Sequence, residues 1–229
     1  GGMVFFGGAG VSTESGIPDF RSPDGLYAQK HRHPPEQMVS RSFFDAHPSE
    51  FFDFYCERML ALDAEPNRAH RALAELERDG TLRAVITQNI DGLHQKAGSR
   101  NVLELHGSVL RNACMGCGAP YSVERLLDLR AANPDGVPRC PACGRIVKPA
   151  VVLYEEPLDE RTLHEAIAAI AQADLLVIAG TSLSVYPAAG LIDVFQGSRL
   201  VIVNRTPTPR DRHADLCIAA NVGDVLDFR

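Results

Sequence analysis

No segment of this sequence comes near the roughly 18 consecutive apolar residues that a membrane-spanning helix needs, so a role inside a bilayer is set aside. No secretory leader is read at its start, because the chain runs straight into Met3-Val4-Phe5-Phe6. Positive charge is scarce. Against 29 Asp and Glu there are 23 Lys and Arg, a net charge of −6, and the pI is about 5.7. That balance argues against a nucleic-acid binder whose affinity rests on neutralising phosphates. Lysine is nearly missing: Lys30, Lys96 and Lys148 are the only three, which reads as lineage bias without functional weight. Internal repeats and low-complexity tracts are absent, and with them solenoid and disordered classes. Six cysteines in 229 residues, with 45% hydrophobic residues, are too few for a disulfide scaffold and enough core to do without one. Four of them fall in two close pairs, which points to metal and a reducing compartment, the cytoplasm.

What is present alternates between strand and helix patterns. Met3 to Phe6 is a short apolar run that stops at Gly7-Gly8-Ala9-Gly10, as a buried strand entering a Gly-rich turn would. Helical spacing of Phe51, Phe54, Tyr55 and Met59 predicts one helix from Asp45 to Leu62, and a second runs from His70 to Leu76 with a stop at Gly80. Ala84–Thr87 and Val102–Leu105 read as strands, Val151–Tyr154 as extended, and Asp159–Ala173 as a helix. Leu175–Ala179 and Leu200–Val203 are continuous apolar runs, expected of parallel strands buried on both faces. The fold expected is α/β: a Rossmann-like parallel-sheet domain with a small inserted zinc-binding domain. The boundaries expected are 1–110 and 146–229 for the large domain and 111–145 for the insert, with a further helical part of the small domain near 28–65.

The metal site is the most specific local signal. Cys114-x2-Cys117 is followed, after 22 intervening residues, by Cys140-x2-Cys143, and each pair is trailed by a glycine, Gly118 and Gly144. Small residues there let backbone amides turn toward thiolate sulfurs. Four thiolates make a closed tetrahedral zinc site, structural and without an open position for substrate. The alternative, two redox C-x-x-C pairs, sits poorly in a turn-rich insert.

Gly7-Gly8-Ala9-Gly10-Val11-Ser12 follows the first strand, where glycines admit a phosphate close to the backbone and a following helix N-terminus would favour the anion. It does not match G-x-G-x-x-G cleanly, and a plain strand-to-helix turn is the competing explanation. Gly180-Thr181-Ser182 after a second buried strand and Asn204 after a third strengthen a dinucleotide site, since open parallel sheets bind ligands at the C-terminal strand ends. Further chemistry sits in Gly16-Ile17-Pro18-Asp19-Phe20-Arg21, in Thr87-Gln88-Asn89-Ile90-Asp91, and in a lone histidine at Leu105-His106-Gly107. Taken singly, His106 is more often a satisfied structural residue, and Asp91 a helix cap.

Together, these segments resemble the sirtuin family, in the family's order and over nearly the whole chain, with Pro18-Asp19-Phe20-Arg21-Ser22-Pro23 and Leu153-Tyr154-Glu155-Glu156 most like its bacterial deacetylases. The resemblance implies an NAD-dependent protein lysine deacetylase. Such an enzyme transfers the acyl group of an acylated protein or peptide to ADP-ribose and releases nicotinamide. Carried over by position, the NAD site comprises Ala9, Gly10, Thr13, Asp19, Phe20, Arg21, Gln88, Asn89, Ile90, Asp91, His106, Gly180, Thr181, Ser182, Asn204, Arg205 and Val222. His106 would be the general base, with Asn89 and Asp91 holding the departing nicotinamide. Histidine titrates near neutral pH, which suits that task. A substrate strand would pair with Val151, Val152, Leu153 and Tyr154, and the acyl-lysine stem would pass Phe20, Val152 and Tyr154. NAD and structural zinc are the cofactors implied.

The chain departs from the family's usual form in two places. Ala150 replaces a polar residue, and Tyr154-Glu155-Glu156 stands where Phe-Gly-Glu is usual, which leaves peptide preference open. Tyr55-x2-Arg58 formally matches the pair by which some members recognise succinyl groups. Its bland alternative is one packed and one solvated helix residue. Helical sequence usually flanks both ends in the family and is not seen here. The competing functions are a desuccinylase or long-chain deacylase, a mono-ADP-ribosyltransferase on the same fold, and a non-enzymatic NAD- or zinc-dependent binding module. No nucleic-acid or membrane partner is expected, and a monomer is the default.

Overall fold

The computed structural model describes residues 2–19, 25 and 33–227. Its strands are β1 (Met3–Gly7), β2 (Leu82–Thr87), β3 (Val102–Glu104), β4 (Gly107–Cys114), β5 (Pro120–Ser122), β6 (Val147–Val151), β7 (Leu175–Ala179), β8 (Arg199–Val203) and β9 (Leu216–Ile218). Its helices are α1 (Pro35–Met38), α2 (Arg41–Ala46), α3 (Pro48–Phe54), α4 (Arg68–Arg78), α5 (Leu93–Ala97), α6 (Val123–Ala131), α7 (Glu160–Ala171) and α8 (Val222–Leu226).

Six strands form a parallel sheet in the order β3-β2-β1-β7-β8-β9. Counted along the chain within that sheet, this is the doubly wound order 3-2-1-4-5-6, whose direction reverses between β1 and β7. The alternation of β1 serves two faces. Val4 and Phe6 join Ile86, Ile178 and Ile170 of α7 on one side, while Met3 and Phe5 join Val85, Val177 and Leu73 of α4 on the other. Both layers are closed by helices with firm starts. Asn67 accepts from the amides of Ala69 and His70 at α4, and Asp159 accepts from the Thr162 amide at 2.8 Å at α7.

The second body is a three-stranded antiparallel sheet, β5-β4-β6, with α6 packed on it. Its hydrophobic cluster joins Phe43, Phe44, Phe51, Phe52 and Tyr55 to Val109, Leu126, Val137, Val147 and Val151, so residues 38–60 and 109–153 share one core. β4 and β6 reach past residues 111 and 145 on either side.

Two sequence-based expectations are corrected. The single helix from Asp45 to Leu62 is three pieces. α2 ends at Ala46, His47 leaves helical geometry (φ −134°, ψ 57°), and Pro48 opens α3, because a residue before proline is crowded out of the α region. The chain then widens into a π turn over Tyr55–Met59, where the Leu60 amide donates to the Tyr55 carbonyl at 3.1 Å. The helix expected after the Gly-rich turn is also missing. Two single 3-10 turns, Ala9–Val11 and Thr13–Ser15, occupy its place and end at Gly16, whose φ of +82° no helix continues. A helix dipole therefore does not serve that turn. Among the described residues no helix is long and apolar enough to cross a membrane.

Candidate active site and metal centre

The C-terminal ends of β1 and β7 meet where the strand order reverses. There the Gly8 amide donates to the Ala179 carbonyl at 3.1 Å and the Gly10 amide to the Gly180 carbonyl at 2.8 Å. A Cβ on Gly10 would lie 2.7 Å from the Gly180 Cα, so glycine at 10 is a condition for the two loops to touch. This junction is the floor of a cleft of about 760 Å³ that extends to the second lobe.

The cleft gathers most of the residues singled out in the sequence. Ala9, Gly10, Asp19, Gln88, Asn89, Ile90, Asp91, His106, Gly180, Thr181, Ser182, Asn204, Arg205 and Val222 line it, as do Val151, Val152, Leu153 and Tyr154. Thr13 is not among its described lining residues; its hydroxyl donates to the Gly10 carbonyl at 3.1 Å. Phe20 and Arg21 lie outside the described residues. Asp19 and Arg205 face each other at 3.6 Å, and Gln88 donates to the Thr181 hydroxyl at 3.0 Å.

His106 is half-buried beyond β3. Its Nδ1 lies 3.0 Å from the Gln88 carbonyl oxygen. A carbonyl only accepts, so Nδ1 carries the hydrogen and Nε2 is left with a lone pair. Burial holds the ring's pKa below the usual histidine value, against the opposing pull of that carbonyl. The ring is thus a neutral base in a fixed tautomer. Gly107, at φ +75°, makes the turn into β4, and a Cβ there would strike the Ala150 carbonyl.

Asp91 is held at both oxygens. Oδ1 accepts from the Leu93 amide at 2.9 Å and Oδ2 from the Ser12 hydroxyl at 2.7 Å. Ser12 accepts in turn from Asn89 Nδ2 at 3.0 Å and lies 3.5 Å from His70 Nε2. The Asn67 amide donates to His70 Nδ1 at 3.3 Å, so Nε2 is the protonated nitrogen and faces Ser12 as a donor. Ser12, Asn67 and His70 were not singled out as site residues in the sequence. The available signal was Asn67-x2-His70 opening an apolar-periodic helix, which reads as a cap and not as a site.

The groove segment is partly paired already. The Val152 amide donates to the His106 carbonyl at 2.9 Å, the Tyr154 amide to Val39 at 3.0 Å, and the Arg41 amide to the Tyr154 carbonyl at 2.9 Å. Glu155, where the family usually has glycine, takes φ +76°. Its carboxylate accepts from the Ser42 amide and hydroxyl at 2.8 and 2.9 Å, which offsets part of the strain. Of the Tyr55 and Arg58 pair only Arg58 lines the cleft; Tyr55 is fully buried and stacked on Phe51, and among the described residues its hydroxyl has no hydrogen-bond partner.

Outside the cleft, the Sγ atoms of Cys114, Cys117, Cys140 and Cys143 all lie within 4.8 Å of one another. The Cys114–Cys143 pair is 3.3 Å apart and the Cys117–Cys140 pair 3.7 Å. Amides of Gly116 and Cys117 point at Cys114 Sγ, and the Tyr121 hydroxyl lies 3.1 Å from Cys140 Sγ. An all-sulfur set this compact, with donors already turned on its sulfurs, fits a four-coordinate zinc ion.

A doubly wound sheet with a cleft at its switch point, joined to a four-cysteine lobe, defines a nucleotide-binding α/β protein with a structural metal. The sequence model of the Sir2 family matches residues 8–187, and the chain belongs to that family. It is 56% identical over 227 residues to the NAD-dependent protein deacetylase of Clostridium perfringens, covering 98% of this chain and 91% of the relative. It is 47% identical over 226 residues to NAD-dependent protein deacylase 2 of Archaeoglobus fulgidus, at 97% and 87% coverage. A solved complex of Sir2 with p53 peptide and NAD+ superposes with a TM-score of 0.89 at 42% identity, covering 98% of this chain and 90% of that one.

Proposed function

We propose that this protein is an NAD-dependent protein lysine deacetylase, moving the acyl group of acyl-lysine onto ADP-ribose with release of nicotinamide. The observation that carries this is His106: a half-buried, neutral imidazole with Nδ1 tied to Gln88 and Nε2 open, lining one cleft together with Asn89, Asp91 and the Val151–Tyr154 segment. A pure binding module has no use for a base prepared in this way.

Bound NAD supplies an electrophilic ribose carbon and a leaving nicotinamide. The chain orients both partners and moves one proton. Asn89 and Asp91, fixed through Ser12, hold the carboxamide of the nicotinamide. Gln88 holds the adjoining ribose, while Gly10, Gly180, Thr181 and Ser182 receive the phosphates. Asn204, Arg205 and Val222 take the adenosine end. Val151 to Tyr154 would hold the acyl-lysine backbone so that its acyl oxygen takes the bond to ribose that nicotinamide leaves, and His106 Nε2 would accept the proton of a ribose hydroxyl that bonds to the acyl carbon as the lysine amine departs. The four cysteines hold zinc away from this chemistry.

The same proposal divides the chain into a large domain of 1–110 and 146–229 and an insert of 111–145 joined by helices near 28–65. The separate hydrophobic cluster over 38–60 and 109–153 supports a second lobe whose core runs a few residues beyond the insert on either side. Acylated proteins are the substrates, the working form is a monomer, and the cytoplasm is the compartment, in keeping with six cysteines none of which is paired in a disulfide.

The test is incubation with acetyl-lysine and succinyl-lysine peptides, with and without NAD, following peptide mass and nicotinamide. Loss of the acetyl mass in step with nicotinamide is the expected result. Preference for the succinyl peptide would replace it with a desuccinylase. Nicotinamide release with a mass gain on protein and no deacylation would replace it with an ADP-ribosyltransferase.

A further inference from the structure

The Val151–Tyr154 segment is held by a largely buried ion pair, one member of which, Glu156, sits at the cleft wall, and which plays no part in the chemistry above. Lys148 lies in β6 with its side chain 13% exposed, and Glu156 is 16% exposed. The ammonium has three hydrogens to place. It donates to the Val151 carbonyl at 2.8 Å, to Glu156 Oε2 at 3.0 Å and to the Pro149 carbonyl at 3.4 Å. Glu156 Oε2 also accepts from the Leu153 amide at 2.9 Å, and Oε1 accepts from Arg41 at 3.2 Å.

These bonds fall on the two peptide units that flank Val152. Lys148 takes the carbonyl of the first unit, and the amide of that same unit donates to His106. Glu156 takes the amide of the second. Among the described residues, the Val152 carbonyl is the one group of the two units left without a partner, and Val152 lines the cleft. It is an acceptor suited to an amide N–H of the substrate. Burial draws the Lys148 pKa down, while Glu156 opposes the shift, as expected of a partly desolvated ion pair.

We infer that Lys148 and Glu156 are a positioning pair, which fixes the backbone of Val152 in register with His106 so that a bound acyl-lysine is presented to the base. This rests on the proposal that Val151 to Tyr154 hold the substrate. It is not a statement about stability alone. Breaking one member of a buried pair is costly, whereas replacing both by apolar residues of similar volume is often neutral. The double variant K148M/E156L therefore separates the roles, because it can fold well and still lack the clamp.

The experiment measures kcat and KM for an acetyl-lysine peptide at saturating NAD, KM for NAD, and the melting temperature, for wild type, K148M/E156L, K148R and E156Q. The expected result is a peptide KM raised about ten-fold in the double variant, the loss of a charge-assisted hydrogen bond. Its melting temperature and KM for NAD should stay near those of wild type. K148R should return most of the peptide KM. E156Q, the mildest change, should raise it about three-fold and carries the test if the double variant does not fold. An unchanged peptide KM in folded variants, or equal rises in both KM values, overturns the inference alone. No wild-type turnover of the peptide overturns the deacetylase proposal together with it.

Discussion

The parallel sheet and the cysteine-bearing lobe share the cleft but are built by different means. In the sheet, the central strands β1 and β7 are contiguous apolar runs, paired in parallel with their neighbours and covered on both faces. Its cohesion is spread over many residues. Burying one aliphatic or aromatic side chain contributes roughly 1.5–3 kcal/mol, so no single position decides it. The lobe is assembled from two distant stretches, 38–60 and 109–153, around an aromatic cluster and a small antiparallel sheet. Four sulfurs on two tight knuckles tie it together. A distributed core tolerates local loss. A core joined at one metal does not.

That contrast predicts the largest effect. Replacing Cys140 with Ala, or stripping zinc with a chelator, should collapse the lobe and abolish deacetylation, since a structural zinc contributes on the order of 10 kcal/mol. The sheet should keep its helical and strand circular dichroism. Metal analysis alongside activity checks this, and a folded, active, zinc-free protein would remove the metal from its assigned place.

His106→Ala follows. It deletes the base without touching either core, so turnover should fall by roughly 10²–10⁴-fold while NAD binding and melting temperature change little. Calorimetric titration of NAD against the variant gives the answer. Gly10→Ala probes the sheet side instead. Its Cβ would meet Gly180 backbone at 2.7 Å, for a cost of about 1–3 kcal/mol and weaker NAD binding. Gly118→Ala in the cysteine lobe meets nothing within 4 Å and pays only for φ +72°, about 1 kcal/mol. Urea melts of the two variants compare crowding with conformation.

The same contrast governs what was legible in the sequence. The sheet strands could be read because each is a local pattern: Leu175–Ala179 is apolar end to end and is β7. The cysteine spacing and the strand-end residues His106, Asn89 and Asp91 were equally local. What could not be read depends on partners far away in the chain. Pro48 and the π turn break the helix expected from Asp45 to Leu62, and the turn at Gly10 closes on Gly180 and not on a helix of its own. Ser12 joins the site only because its hydroxyl reaches Asp91 from a distant loop, with His70 and Asn67 at the start of α4 lined up behind it. Lys148 looked like one of three stray lysines until its acceptors were seen.

Acid should expose the buried histidines of the sheet side. Burial lowers His70 to about 4 and His94 to about 3. Both folded values lie below the ordinary 6.5, so the unfolded chain binds more protons in between, and stability rises with pH there. It should therefore be lost progressively as pH falls from about 6.5 towards 4. Thermal melts between pH 7.5 and about 4.5 should show a shallower slope for His94→Leu than for wild type; parallel slopes would remove His94 from the acid response. The catalytic acid limb obeys the same direction, with activity falling only below the usual histidine pKa, because His106 is also lowered.

The smallest effect distinguishes packing from recognition inside the lobe. Tyr55 is fully buried against Phe51 and Phe52, and among the described residues its hydroxyl has no partner. Burial raises that phenol far above its ordinary pKa, so it is a neutral group in apolar surroundings. Removing a polar atom that makes no hydrogen bond releases its desolvation cost. Tyr55→Phe should therefore be neutral or stabilising by up to about 1 kcal/mol, with no change in kcat or KM for an acetyl peptide. Both residues lie in the π turn, where the Leu60 amide donates to the Tyr55 carbonyl, yet Tyr55 is buried in the lobe's core while Arg58 lines the cleft. If Tyr55 instead recognised an acidic acyl group, Tyr55→Phe would depress succinyl-lysine turnover selectively while leaving acetyl-lysine turnover intact. Assaying both peptides with this one variant decides whether the Tyr-x2-Arg spacing reports a binding pair or one core residue beside one cleft residue.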